Sequence, residues 1–308
     1  MIVVNYNTGH LLERMFAALA AARQELRIQT VVVDNASRDH SVALLRSKFP
    51  DVELIENSIN VGFARANNQA VAHIRGRLVL LLNTDAFIAP DTLVKTVSFM
   101  NENPKCGVLG VKLVSEDGSL QPCCRYFPTP WNVFLASTGL GRFFPHTRLV
   151  DDMSWDHASI RKCDWVPGSY YLTRREVVER VGLFDPRYFL YYEEVDLCRR
   201  VVRAGWDVIY YPHTQVVHIG GESAKTNGQL EEGTRQISAL QIESELLYFR
   251  KHYGLIGMFR SVFLMMVTDT YVALKPRRDA VRRRAAVTHA RTVLQKLLET
   301  RLASRPTV

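Results

Sequence analysis

The chain has 308 residues, 47% of them hydrophobic and 23% charged, enough for one large α/β domain with an appendage or two smaller domains, and too apolar for disorder throughout. Net charge is +8, but ten Lys/Arg and two Asp/Glu lie from Lys275 onward, which leaves 29 basic and 29 acidic residues before them. The basic balance therefore belongs to the tail, which is either merely solvated or directed at an anionic partner.

The five cysteines (Cys106, Cys123, Cys124, Cys163 and Cys198) are odd in number and show no CxxC spacing. This argues for a reducing compartment and against a zinc site, with most of them small core residues. The first residues carry neither a basic segment nor an apolar run, so they read as a strand entering a loop rather than a signal peptide, and a start a few residues upstream stays open.

Strands are predicted over 2–6, 30–34, 52–56, 78–82 and 108–114, with helices over 11–22, from Ser37 or Asp39 to 49, within 62–74 and over 90–101. Apolar strands alternating with helices imply an α/β fold with a mostly parallel sheet covered on both faces. Ligands in such sheets bind beyond the carboxyl ends of the strands, which places Asp34 and Asp85 at one rim. Residues 115–162 show no clear period and read as a long functional loop region. Order returns with a strand over 165–172, helices over 174–181 and 193–204, and strands near 208–211 and 215–219. From Gly233 the chain reads as helical. Residues 258–274 are strongly apolar yet contain Arg260 and Asp269, and Lys275, Arg277, Arg278 and Arg282 to Arg284 follow. This segment is either an interfacial helix or one packed on the body.

Four constellations carry chemistry. Asp34, just past a buried strand, could accept from a base N–H or ribose hydroxyls, or simply cap a helix. Asn83-Thr84-Asp85 could offer one carboxylate to a hard cation whose shell a diphosphate completes, or form a self-bonded turn. Glu193, Glu194 and Asp196 open a helix, where the macrodipole favours anions; one could serve as general base, or all could be capping acids. His218, before Gly220 and Gly221, could ligate metal, although a lone histidine more often does not. No GxGxxG follows the first strand, against a nicotinamide-dependent dehydrogenase. A nucleotidyltransferase would show a glycine-rich loop with basic residues near its first strand, and the loop Asn5-Tyr6-Asn7-Thr8-Gly9-His10 is unsuited to that role.

Taken in order, VVVDNAS (31–37), NVGFARANNQA (60–70), LLLNTDA (80–86), WVPGSYYLTRREVVERVGLFD (165–185), YYEEVDLCRR (191–200), AGW (204–206) and HIGG (218–221) resemble the family 2 glycosyltransferases with a GT-A fold, most closely their bacterial rhamnosyltransferase-like branch. The likeness covers about residues 1–222, with a looser likeness of the helical tail. It implies a catalytic domain over 1–232, with a nucleotide-binding half (1–114) and an acceptor and metal half (115–232), and a basic helical extension over 233–308.

By this resemblance Asn5, Asp34, Asn35, Asn60, Gly62, Asn67, Asn83 and Asp85 would bind the nucleotide-sugar donor. Asp85 and His218 would hold Mn²⁺ or Mg²⁺. Trp165, Gly168 and Asp196 would line the sugar and acceptor pocket, Asp196 alternatively supporting its helix start. Asn83 stands where the family's Asp-x-Asp motif has its first Asp. Glu194 stands where the family usually has an Asp as base, so Glu193 is an alternative.

The expected activity is inverting transfer from a nucleotide-diphosphate donor, dTDP-rhamnose as first choice, to a lipid-linked glycan or polysaccharide. The expected location is cytoplasmic, peripheral at the inner membrane face, with the basic helices on anionic lipid and no nucleic-acid partner. The rival readings are a catalytically inactive nucleotide-sugar-binding subunit and a nucleotidyltransferase.

Overall fold

The computed structural model describes residues 1–221, 235–274 and 280–307. They form two compact units: Met1–Arg125 with Met153–Pro186 and Glu193–Leu230, and Tyr126–Asp152 with Arg187–Tyr192 and Glu231–Val308. The predicted division at 232–233, and the basic residues Lys275, Arg277 and Arg278, lie outside the described residues.

The first unit is built on a nine-stranded sheet. Its strands are β1 (Ile2–Asn5), β2 (Val31–Asp34), β3 (Glu53–Glu56), β4 (Leu78–Leu82), β5 (Ala86–Ile88), β6 (Cys106–Val114), β7 (Arg161–Cys163), β8 (Tyr170–Arg174) and β9 (Asp207–His218). The order is β3-β2-β1-β4-β8-β6-β9-β5, with β7 also on β9. β3, β2, β1 and β4 run parallel, as do β6 and β9, while β8, β5 and β7 enter antiparallel. All four β2 residues are buried, and eight of the nine in β6. Since successive side chains point to opposite faces, both faces are covered, as the unbroken apolar runs predicted.

Helix α1 (Gly9–Arg23) contacts both α2 (Ser41–Lys48) and α4 (Thr92–Glu102), α3 (Phe63–Val71) packs on β1 and β2, and α6 (Arg175–Val181) meets α7 (Glu193–Arg203). Strand order reverses at β1, with β2 on one side and β4 on the other, so the crevice for a ligand opens between the carboxyl ends of β1 and β4.

Three departures from the predicted elements have local causes. The strand expected over 165–172 begins only at Tyr170, because Pro167 offers no N–H to a ladder; Trp165 keeps an isolated bridge to Arg125. The two strands near 208–211 and 215–219 are one, β9, whose register against β6 jumps between Tyr211 and Gln215, where Pro212 sits. β5 is only three residues long and follows Asp85 directly, too short for a periodic signal.

The second unit holds α5 (Pro130–Thr138), α8 (Arg235–Leu274) and α9 (Ala280–Glu299). Within the expected loop region, α5 starts with a capping box between Thr129 and Asn132 and a Pro in its first turn. α5 packs on α8, and α8 on α9. α8 is interrupted at Gly254, whose φ of 69° suits a residue without a Cβ. Buried Glu243 of α8 bonds Lys296 Nζ at 2.9 Å and the Thr307 N–H at 2.7 Å, and Asp269 meets His289 Nδ1 at 2.7 Å. Met258, Ser261 and Val262 are buried, whereas Phe259, Phe263, Val267, Tyr271 and Leu274 are exposed, so the apolar segment both packs and presents a face. Ala239–Leu274 is long and apolar enough to cross a membrane by length and composition.

Gly110 in β6 sits where a Cβ would stand 2.5 Å from Val166 Cβ, against packed side chain. Gly110→Ala is expected to lower stability by about 1–3 kcal/mol through overpacking, read as a reduced urea midpoint with an unchanged m-value.

Candidate active site

β1 and β2 align Asn5 opposite Asp34. Both are buried, so their polar groups must find partners. Asn5 Nδ2 donates to Asp34 Oδ2 at 2.7 Å and to Ser37 Oγ at 3.0 Å. The other Asp34 oxygen accepts the Ser37 N–H at 2.9 Å. The Thr8 hydroxyl bonds Asn5 Oδ1 at 2.7 Å and the Thr84 hydroxyl at 2.8 Å. One connected network thus runs from the β2 end through the β1 loop to the residue beside Asp85.

Asn35 extends this edge. Its Nδ2 donates to Asn60 Oδ1 at 2.7 Å, and its Oδ1 accepts from Val61 N–H and Asn57 Nδ2. Asn60 Oδ1 also accepts the Gly62 N–H at 2.9 Å, and Gly62 has φ 86°, a conformation that excludes most side chains. Asn67 is buried and donates to Phe63 O within its own helix. Its neighbour Asn68 makes the longer reach, bonding both the carbonyl and the N–H of Phe184.

Across the crevice, the Asn83 N–H donates to Ser169 O, and β5 turns back at Asp85. The β5–β9 ladder sets Ala86 opposite His218, and the Ile219 N–H donates to Asp85 O at 3.1 Å. This pairing brings His218 Nε2 to 3.5 Å from Asp85 Oδ1. Burial lowers the His218 pKa, and the Asp85 charge opposes the shift only in part, so the ring is neutral at neutral pH. The other ring nitrogen is held by Gln121 Oε1 at 2.8 Å. A carboxylate oxygen and a neutral imidazole nitrogen at this separation can share one divalent ion, whose ligand bonds are about 2.1 Å long. Among the described residues no cluster of three or more His, Cys, Asp or Glu forms, so substrate and water would complete the shell.

α7 begins after Tyr191 and Tyr192, both with positive φ (70° and 66°), strain of the kind that clusters at functional sites. Glu193 is buried, and Glu193 Oε2 and Glu194 Oε2 have no hydrogen-bond partner among the described residues. Burial, then repulsion from Glu194, pushes Glu193 well above the ordinary carboxylate range. Burial raises Glu194 as well, but backbone N–H groups at the helix start and the Arg125 guanidinium draw it back. Arg125 lies 4.0 Å over the Trp165 ring, and Trp165 is buried. A Cβ on Gly168 would make only ordinary contact with Phe63, so the space around it is open. Asp196 is fully buried and paired with Arg200 at 2.8 Å, whose guanidinium also bonds the carbonyls of Val181, Gly182 and Leu183.

The structure therefore brings Asn5 and Asp34 together, Asn35 with Asn60 and Gly62, and Asp85 with His218. Sequence reasoning missed Thr8, Ser37 as an acceptor, Gln121 and Arg125. Gln121 and Arg125 lie in the segment without periodicity, and their partners are distant in sequence.

Residues 1–134 match the profile "Glycosyl transferase family 2" and residues 78–227 match "Glycosyl transferase family group 2". The chain is 30% identical over 232 residues to an N-acetylglucosaminyl-diphospho-decaprenol L-rhamnosyltransferase of Mycobacterium tuberculosis, covering 71% of this chain and 75% of the relative. It is 28% identical over 165 residues to the rhamnosyltransferase WbbL of Escherichia coli, covering 51% of this chain and 60% of that one. In fold it is similar to a Pyrobaculum calidifontis mannosyltransferase solved with GDP-Man and Mn²⁺ (TM-score 0.55, 18% identity, 95% of this chain and 86% of that chain). It is also similar to S. aureus TarS 1-349 (TM-score 0.53, 14% identity, 97% and 90%). The chain belongs to the family 2 glycosyltransferases and is rhamnosyltransferase-like.

The Glu193 shift carries a linkage consequence. A carboxyl whose pKa is raised on folding contributes stability below its unfolded value of 4.5 and loses it as pH climbs through the folded value. Glu193→Gln is therefore expected to gain stability relative to wild type as pH rises from 5 to 8 (approximate limits for paired urea titrations) and to gain nothing near pH 4.

Proposed function

We propose that this glycosyltransferase moves a rhamnosyl group, with inversion, from dTDP-rhamnose to a hydroxyl of a lipid-linked glycan. The acceptor class is drawn from the relatives: a diphospho-polyprenol carrying N-acetylglucosamine, at the inner face of the cell membrane. What supports the reading is the hydrogen-bonded chain from Asp34 through Asn5 and Thr8 to Thr84, the residue beside Asp85, together with the approach of His218 to Asp85.

Asp34 and Asn35 receive the nucleoside, and Gly62 leaves backbone room beside it. Asp85 and His218 hold Mn²⁺ or Mg²⁺, and the imidazole ligand favours Mn²⁺. Bound there, the ion would offset charge on the departing diphosphate. Glu194 is the base, since Arg125 and the helix start keep it closer to ionised than Glu193. It takes the proton of the acceptor hydroxyl as that oxygen bonds the anomeric carbon, and the nucleoside diphosphate leaves from the opposite face. Glu193, held protonated by burial, shapes the Glu194 environment. Trp165 and Gly168 border the acceptor sugar. The exposed apolar residues of α8, with exposed Arg282, Arg284 and Arg291 on α9, supply a surface for anionic lipid.

A donor panel with Mn²⁺ and a polyprenyl-diphosphate acceptor tests this reading. dTDP-rhamnose should be turned over in preference to other nucleotide sugars. Glu194→Gln should keep donor affinity and lose roughly 10²–10⁴-fold in kcat, and Asp85→Asn should lose metal-dependent donor binding. Donor binding without turnover on any lipid-linked acceptor would favour a binding subunit, and no binding of any nucleotide sugar would sink the proposal.

Vesicle flotation tests the membrane surface separately. Binding to anionic vesicles should fall with added salt and with Phe259→Ser/Phe263→Ser, while neutral vesicles should bind poorly.

A further inference from the structure

We infer that Gln121 is a positioning residue that fixes the tautomer and ring direction of His218, so that Nε2 presents a lone pair beside Asp85. The inference rests on the metal reading above. The turn over 115–119 places Gln121. The Ser115 N–H donates to Ser119 O, Asp117 Oδ1 accepts from the Ser119 N–H and hydroxyl, and Gly118 has φ 81°. The returning chain pairs Leu120 with Val114, and the Gln121 N–H donates to Leu113 O at 3.0 Å. Val114 lies opposite Val217, so the side chain arrives beside the end of β9.

The amide then grips His218 at two points. Gln121 Nε2 donates to the His218 carbonyl at 2.7 Å and to Ser115 Oγ at 3.0 Å, and Oε1 lies 2.8 Å from His218 Nδ1. A main-chain carbonyl only accepts, so the NH₂ end of the amide must face it. Oε1 is then forced toward the ring, and since it too only accepts, Nδ1 carries the hydrogen. The neutral ring has one hydrogen, so Nε2 is left with its lone pair, 3.5 Å from Asp85 Oδ1.

Asp85 would select the opposite state. A carboxylate facing Nε2 favours a hydrogen on that nitrogen, which would close it to a cation. The two neighbours therefore compete for the imidazole, and Gln121, with the shorter contact and a second anchor on the backbone, decides it.

Nitrogen-15 histidine NMR on the metal-free full chain at mildly alkaline pH reads this directly, with His218→Ala supplying the assignment. Wild type should show His218 protonated at Nδ1. Gln121→Leu, which removes both the acceptor at Nδ1 and the donor to the His218 carbonyl, should shift it to Nε2–H. Mn²⁺ titration followed by electron paramagnetic resonance should show a loss of about 10–100-fold in affinity for Gln121→Leu. An Nε2–H ring in wild type, or an unchanged ring and affinity in Gln121→Leu, would overturn the inference. Unchanged Mn²⁺ affinity in His218→Ala would instead overturn the metal reading, while the metal-free spectra would still decide whether Gln121 sets the tautomer.

Discussion

A buried amide at the end of the first strand organises this rim. Asn5 must be both donor and acceptor: its NH₂ serves Asp34 and Ser37, and its oxygen serves Thr8. An aspartate of the same shape would set two carboxylates face to face, and a leucine would strand three polar groups in the interior. With the amide in place, the loops after β1 and β2 become one object. Asn7 belongs to it, accepting from Arg38 and donating its own N–H to Ser37. The Thr8–Thr84 contact then carries that order across to the β4 end. The polar groups of this rim are thus already committed to one arrangement.

The acidic helix start works on the opposite principle. Two adjacent carboxyls are buried with oxygens left unbonded, and their environments push them apart: one deeper and repelled, the other eased by an arginine and the backbone. Separation of this kind lets chemically identical side chains take different protonation states. The fully satisfied Asp196–Arg200 pair, one turn on, holds the helix against the turn at Val181–Leu183 while this tension persists.

How much of this could be read from the sequence follows from range. Apolar runs such as Val31–Asp34 and Leu78–Leu82 declare themselves as covered strands because each residue contributes to the signal. Asp34, Asp85 and His218 stand out because they end such runs. The pairing that joins the last two does not, since Ala86–Ile88 is three residues and its partner is more than a hundred residues away. Gln121 and Arg125 are invisible for a related reason: an isolated polar residue in an aperiodic stretch has no local mark of the group it will meet. α5 is the exception, since Thr129, Pro130 and Asn132 form a legible helix start within a segment that has no apolar period.

The thiols carry a last consequence. All five cysteines are buried and unbridged, and burial pushes Cys106 and Cys198 up to about 12 and Cys163 well above its ordinary value. Thiolate is the form that oxidants and alkylating agents attack, so the folded protein offers such reagents almost nothing. Once the sheet opens, the shifted thiols return to ordinary acidity together. Peroxide or iodoacetamide would therefore spare the native enzyme and mark unfolded molecules irreversibly, making chemical damage a record of how often each molecule has come apart.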